Sequence, residues 1–114
     1  GIIAIFSPKA KQWVEGQKKW QDIIKCKLVR GDKVLWVHCS SLGEFEQGRP
    51  VIEEVRKLRP GLKILLTFFS PSGYEIRKDY PGADCVCYLP ADTQKNADLL
   101  LEMVSPVAAV FVKY

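Results

Sequence analysis

Four short apolar runs, Val34–Cys39, Lys63–Phe68, Cys85–Leu89 and Val107–Val112, are separated by stretches with helical spacing. This alternation limits the fold more than any other feature. Lys63-Ile-Leu-Leu-Thr-Phe68 is almost continuously apolar, which is the pattern of a strand buried on both faces. Strands that alternate with helices pair in parallel through right-handed crossovers. The predicted class is therefore α/β, a Rossmann-like three-layer domain with a parallel sheet.

The helical stretches can be placed in order. Residues 8–28 carry Trp13, Trp20, Ile23, Ile24 and Leu28 near helical spacing, with Pro8 suited to a first turn and Gly16 weakening the middle. Arg30–Lys33 reads as a turn. The second helix is expected to bury Val51, Ile52, Val55 and Leu58, with Arg56, Lys57 and Arg59 turned away. Pro50 either kinks this helix or opens its main body, leaving Gly43–Gly48 as a separate turn. A short helix is predicted over Tyr74–Asp79. Another, capped by Asp92 or Thr93, runs to Val104 with Leu99, Leu100 and Met103 on its apolar side. A chain that closes on a strand at Tyr114 without a covering helix is expected to be cut from a longer one.

A chain of 114 residues holds one domain with a real core, and 47% apolar residues with a mean hydropathy of −0.04 argue against disorder. No run approaches the ~18 apolar residues of a membrane span. Gly1–Phe6 is too short for a signal peptide and lacks a charged leader. The net charge of +4 is unevenly placed, with residues 1–33 at +5 and residues 34–114 at −1. A basic leading segment with Trp13 and Trp20 suits an anionic membrane surface or a phosphorylated head group. It equally suits a solvated helix face with two tryptophans on the core. The division expected is thus a basic amphipathic segment over 1–33 and a Rossmann-like domain over 34–114.

Cys26 and Cys39 are isolated, and Cys85 and Cys87 are read as neighbours on opposite faces of a strand. With no second cysteine pair and no histidine near Cys85 and Cys87, the cysteines make neither a disulfide framework nor a zinc set, and no metal is expected. Buried reduced thiols point to the cytoplasmic side. There is no Gly-x-Gly-x-x-Gly, no Walker loop and no aromatic-lined basic strand face. No nucleotide cofactor and no nucleic-acid partner are expected.

The candidate chemistry lies where the first apolar run meets a small-residue loop, Ser40-Ser41-Leu42-Gly43, and then an acidic helix start. Ligands of open α/β sheets settle at the carboxyl ends of the strands, where helix N-termini present free N–H groups. Glu44 is the first charge after the loop. A carboxylate there is kept ionised by the helix dipole and can accept a proton, which makes it the candidate general base. Its plainer role is a dipole-complementing acid. Ser40, Ser41 and Gly43 offer hydroxyl and N–H groups to a sugar or phosphate, although serine also caps helices. Ser70, Ser72 and Gly73 form the matching loop after the second strand. Parallel pairing would put both loops on one sheet edge, as the two rims of a groove. Glu46, Arg49 and Glu75 are supporting groups or surface charges, His38 and Phe68 are core residues, and Phe69 is a groove wall.

These residues carry a resemblance. His38-Cys-Ser-Ser-Leu-Gly-Glu-Phe-Glu-Gln-Gly-Arg-Pro50, followed by Leu65-Leu-Thr-Phe-Phe-Ser-Pro-Ser-Gly-Tyr-Glu75, resembles the amino-terminal half of the Kdo (3-deoxy-D-manno-octulosonic acid) transferases. Tyr88-Leu-Pro-Ala-Asp-Thr93 and Val110-Phe-Val-Lys-Tyr114 fit the same pattern, so the likeness runs from the Lys11 region to the last residue. The resemblance implies one half of a GT-B glycosyltransferase that transfers Kdo to lipid A in lipopolysaccharide synthesis. It implies an acceptor site here, with Glu44 as base, inversion and no metal. The CMP-Kdo donor would sit mainly in a carboxyl-terminal half. It also implies a preceding membrane anchor and a place on the cytoplasmic face of the bacterial inner membrane. Gln17 departs from the basic residue common at its position in the family. Two other readings of the chain are a stand-alone α/β module that binds an anionic partner through residues 9–33, and the first half of a different GT-B enzyme.

Overall fold

The computed structural model describes residues 19–88 and 94–112, the stretch 94–97 by its backbone alone. The sequence order is a helix α1 over 19–27, then β1 (Val34–Cys39), α2 (Leu42–Leu58), β2 (Lys63–Phe68), α3 (Pro71–Arg77), β3 (Cys85–Tyr88), α4 (Gln94–Val104) and β4 (Ala108–Val112). The strands form one four-stranded sheet in the order β3-β2-β1-β4, and every pairing is parallel. This is the Rossmann-like α/β layer expected of one half of a GT-B fold. The expected caps Asp92 and Thr93, and Trp13 and Gln17 of the leading segment, lie outside the described residues.

Each sheet face has its own core. Leu35, Val37, Cys39, Ile64, Leu66, Phe68 and Val86 point to one side and pack with Phe45 and Ile52 of α2. Val34, Leu65, Cys85 and Cys87 point to the other and meet Trp20 and Ile24 of α1 and Leu100 and Val104 of α4. The described part of the basic segment is therefore built into the domain. Trp20, 2% exposed, serves the core and not a membrane surface.

Three expectations need correction. Cys85 and Cys87 lie on the same face, since residues two apart on a strand point the same way. Helix α2 runs from Leu42 to Leu58 with Pro50 inside it, which excludes the separate turn over Gly43–Gly48, and the face it buries is not the expected one. Its inward side is Phe45, Gly48, Ile52 and Val55, whereas Val51 and Leu58 are 50% and 69% exposed. Pro50 sits on the outer side, where the Glu46 carbonyl that it leaves without an N–H partner can be hydrated. Helix α3 starts at Pro71, three residues before the expected Tyr74, because Ser70 caps it and proline suits its first turn.

Asp84, just ahead of β3, ties three elements together. Its Oδ2 accepts the Ile64 N–H at 2.8 Å and an Arg56 N–H at 3.0 Å, and Lys63 Nζ lies 4.0 Å from Oδ1. The carboxylate thus supplies the partner that the first residues of β2 lack before β3 begins. A charge-assisted bond to a largely buried amide contributes more than an exposed ion pair. Asp84→Ala is expected to lower stability by roughly 2–3 kcal/mol. Arg56→Ala, which removes only the more exposed partner, should cost about 1 kcal/mol or less. Urea titration of both variants, read as shifts in midpoint, checks the ranking.

Candidate functional site

Parallel pairing brings the loops after β1 and β2 to the same sheet edge, and one backbone bond joins them: the Ser70 N–H donates to the Ser40 carbonyl at 2.9 Å. Gly73 makes a second junction. A Cβ there would stand 2.8 Å from Phe68 Cδ1 and 3.3 Å from the Leu42 backbone nitrogen, so only a glycine lets the start of α3 approach the start of α2 this closely. Ser40, Ser41, Gly43, Glu44, Ser70, Ser72 and Gly73 therefore belong to one pair of abutting loops.

Within that pair the roles differ. Ser41 is the N-cap of α2: its Oγ accepts the Glu44 N–H at 3.4 Å and its hydroxyl faces Glu44 Oε1 at 3.4 Å. The first bond is the serine half of a Ser-x-x-Glu capping box, and the Glu44 carboxylate accepts from the Ser41 hydroxyl. Glu44 is half-buried, in the first turn at the positive end of the α2 dipole. Ser70 caps α3 in the same way, accepting from the Gly73 N–H at 3.4 Å, and its hydroxyl is 2.8 Å from that of Ser72. Ser40, Gly43 and Ser72 are exposed, while Gly73 is buried. Phe69 stands beside them, 47% exposed.

The three expected supporting charges are engaged elsewhere. Glu46 pairs with Arg77 at 2.6 Å across α2 and α3, Arg49 with Glu53 at 2.8 Å, and Glu75 with Lys78 at 3.2 Å. The larger concavities also lie elsewhere. One of about 500 Å³ is lined by Leu58, Leu62 and Val107 with Lys33 and Arg59, one of about 420 Å³ by Tyr74 and Val86 with Lys27, Lys78 and Asp84, and one of about 390 Å³ by Ile24, Val34 and Met103 with Arg30 and Glu102. None of the three is lined by Glu44 or by the serines of the two loops.

Sequence reasoning missed a group under the loops. Trp36 Nε1 donates to Thr67 Oγ1 at 2.8 Å, and His38 Nδ1 is 3.0 Å from the same oxygen. Phe111 stands edge-on to both rings, at 5.2 Å from Trp36 and 5.8 Å from His38. The signal was Thr67, the one uncharged polar residue in the second apolar run. Burial holds the His38 pKa below its ordinary 6.5, against the opposing pull of the Glu44 charge and a backbone hydrogen bond at Thr67. Burial, with the Glu44 charge, pushes the Cys39 thiol up to about 12.

Two outcomes follow. Gly73→Ala gains about 1 kcal/mol of helix propensity but overpacks Phe68 and Leu42, at a cost of about 1–3 kcal/mol. The variant is expected to lose stability on balance in a denaturant titration. His38 gives a pH test. The unfolded chain takes up the His38 proton as pH falls through 6.5, whereas the folded chain does so only at lower pH. Stability should therefore decline as pH drops from 6.5 toward the lowered value, and His38→Gln should remove that part of the decline. Thermal melts across this range check it.

The sequence profile of the family described as 3-Deoxy-D-manno-octulosonic-acid transferase (kdotransferase) matches residues 11–114. The 3-deoxy-D-manno-octulosonic acid transferase of Aquifex aeolicus (strain VF5) is 35% identical over 80 residues, covering 69% of this chain and 22% of that protein. The enzyme of the same name from Haemophilus influenzae (strain ATCC 51907 / DSM 11121 / KW20 / Rd) is 22% identical over 114 residues, 99% of this chain and 26% of that protein. The chain thus spans about a quarter of the length of these curated relatives. With the motif loops abutting at one sheet edge and a profile that spans nearly all of its length, the chain belongs to the Kdo transferase family.

Proposed function

We propose that this chain is the acceptor-side, amino-terminal part of an inverting glycosyltransferase that moves Kdo from CMP-Kdo to lipid A, with Glu44 as general base. The observation that carries the reading is the Ser70–Ser40 backbone bond, which sets two serine-bearing loops side by side, with a half-buried carboxylate in the helix turn that follows the first of them. Ser40, Ser41, Gly43, Ser70, Ser72 and Gly73 form the acceptor rim. Ser40 and Ser72 have the exposed side chains, and Ser41, Ser70 and Gly73 set the geometry through caps and close packing.

In this reading Glu44 takes the proton from an acceptor hydroxyl while its oxygen attacks the anomeric carbon of the donor sugar. The bond from that carbon to the phosphate oxygen breaks from the opposite side, and cytidine monophosphate leaves with the electron pair. Because the phosphate is a good leaving group, the residues here have two tasks, removal of the acceptor proton and alignment of the attack. The donor is held mainly by the rest of the enzyme.

The topology also supports contact with a membrane. Helix α1 ends at residue 27 and feeds β1 from the amino-terminal edge, so α1 runs antiparallel to β1. Its beginning therefore points toward the edge that carries Glu44. Attachment of this leading segment to the cytoplasmic face of the bacterial inner membrane brings the rim toward a lipid acceptor.

Glu44→Gln in the full-length enzyme tests the proposal. Glutamine keeps the capping arrangement, so the fold should hold while turnover drops about 10²–10⁴-fold with little change in KM. Near-normal kcat in a steady-state assay would remove Glu44 from this role.

A further inference from the structure

Thr67 is wholly buried in β2, at a place where valine would fill the same space with no hydroxyl to satisfy. Its Oγ1 takes the Trp36 indole N–H at 2.8 Å and faces His38 Nδ1 at 3.0 Å. An indole nitrogen only donates, and a threonine hydroxyl has two lone pairs and a single proton. With Trp36 on one lone pair, that proton needs an acceptor. Neutral Nδ1 is one. If Nδ1 carried a hydrogen instead, both ring nitrogens would donate to Oγ1, and no other side chain is bonded to that hydroxyl among the described residues. The threonine proton would then be a buried donor without a partner, which is the costlier arrangement.

We propose that Thr67 is a positioning residue: its hydroxyl proton, given to Nδ1, holds His38 as the neutral tautomer protonated at Nε2, so that no imidazolium forms near Glu44 and the carboxylate stays free to act as base. The inference rests on the reading of Glu44 as the base. The groups around the ring set its consequence. Trp36 from β1, Thr67 from β2 and Phe111 from β4 carry no charge, and Glu44 at the start of α2 is the charged neighbour. A cation on the ring would favour the Glu44 carboxylate over its protonated form and make it a weaker proton acceptor. Burial opposes that cation against the pull of the Glu44 charge and of a backbone hydrogen bond at Thr67, and donation from the Thr67 hydroxyl adds to the opposition, since only a neutral ring nitrogen can accept.

The test is nitrogen NMR of the full-length enzyme near neutral pH, with the His38 signals identified by their loss in His38→Gln. The expected pattern is a protonated Nε2 and a hydrogen-bonded, unprotonated Nδ1. In Thr67→Val the two tautomers should mix and the acid limb of kcat/KM should move up by about one pH unit. On that limb kcat should fall by up to about tenfold while KM stays within about twofold. Thr67→Ser, which keeps the hydroxyl, should restore the wild-type tautomer and most of the rate. If Thr67→Val does not fold, the wild-type and Thr67→Ser spectra still decide. An imidazolium or a protonated Nδ1 in the wild type would overturn the proposal. So would a Thr67→Val enzyme with unchanged tautomer and unchanged acid limb. The expected NMR pattern beside near-normal turnover in Glu44→Gln would locate the failure in the base reading instead.

Discussion

The candidate site depends on how closely two helix starts can approach at one end of a parallel sheet. The Ser70 N–H to Ser40 carbonyl bond fixes the loops after β1 and β2 to each other, and Gly73 lets the first turn of α3 reach the first turn of α2 without a side chain between. Neither contact touches Glu44. Together they fix where its helix begins, and a carboxylate in a first turn can go only where that turn points. The small residues of the two motifs are thus explained first by backbone geometry. Chemistry depends on that geometry, because a base out of place by an ångström loses most of its effect.

Much of the fold was legible in the sequence because the strands are buried on both faces. Apolar runs such as Ile64–Phe68 leave little choice of structure, and their alternation with helices leaves little choice of topology. Spacing put Trp20 and Ile24 on one helix side but left open whether Trp20 met the core or a membrane surface, and the structure buries both. The inward side of α2 did not follow from spacing, since it rests on a glycine. Gly48 packs so near β4 that a Cβ would come 2.8 Å from Val112 Cγ2, yet glycine registers as neutral in any apolar pattern. Without Gly48 the stripe reads as starting at Val51 and Ile52, and Pro50 reads equally as a kink or as the start of the helix's main body.

The polar details were legible in proportion to how local they are. Ser41 with Glu44, and Ser70 with Gly73, are three residues apart, so the caps could be read from spacing alone. The supporting roles weighed for Glu46, Arg49 and Glu75 depended on partners the sequence does not order. Arg77 reaches Glu46 from another helix, and Arg49 and Glu75 bond within their own. Trp36, His38 and Thr67 meet only because β1 and β2 pair in the register His38 to Thr67. No periodicity in a single strand reveals that.

The site also separates chemistry from concavity. The three described cavities are lined by other residues than Glu44 and the loop serines, which gather with the helix starts at the carboxyl-terminal edge of the sheet. A rim with a base but little enclosure suits a domain that supplies one wall of a site and depends on another for the second. Such a division has a consequence for the residues that are present. In the proposed reading, with a facing wall supplied by other residues, what lies beneath Glu44 belongs to the sheet itself. His38 and Thr67 are buried one strand residue beneath the loops, at the carboxyl end of β1 and β2, with Trp36 joining them from the middle of β1.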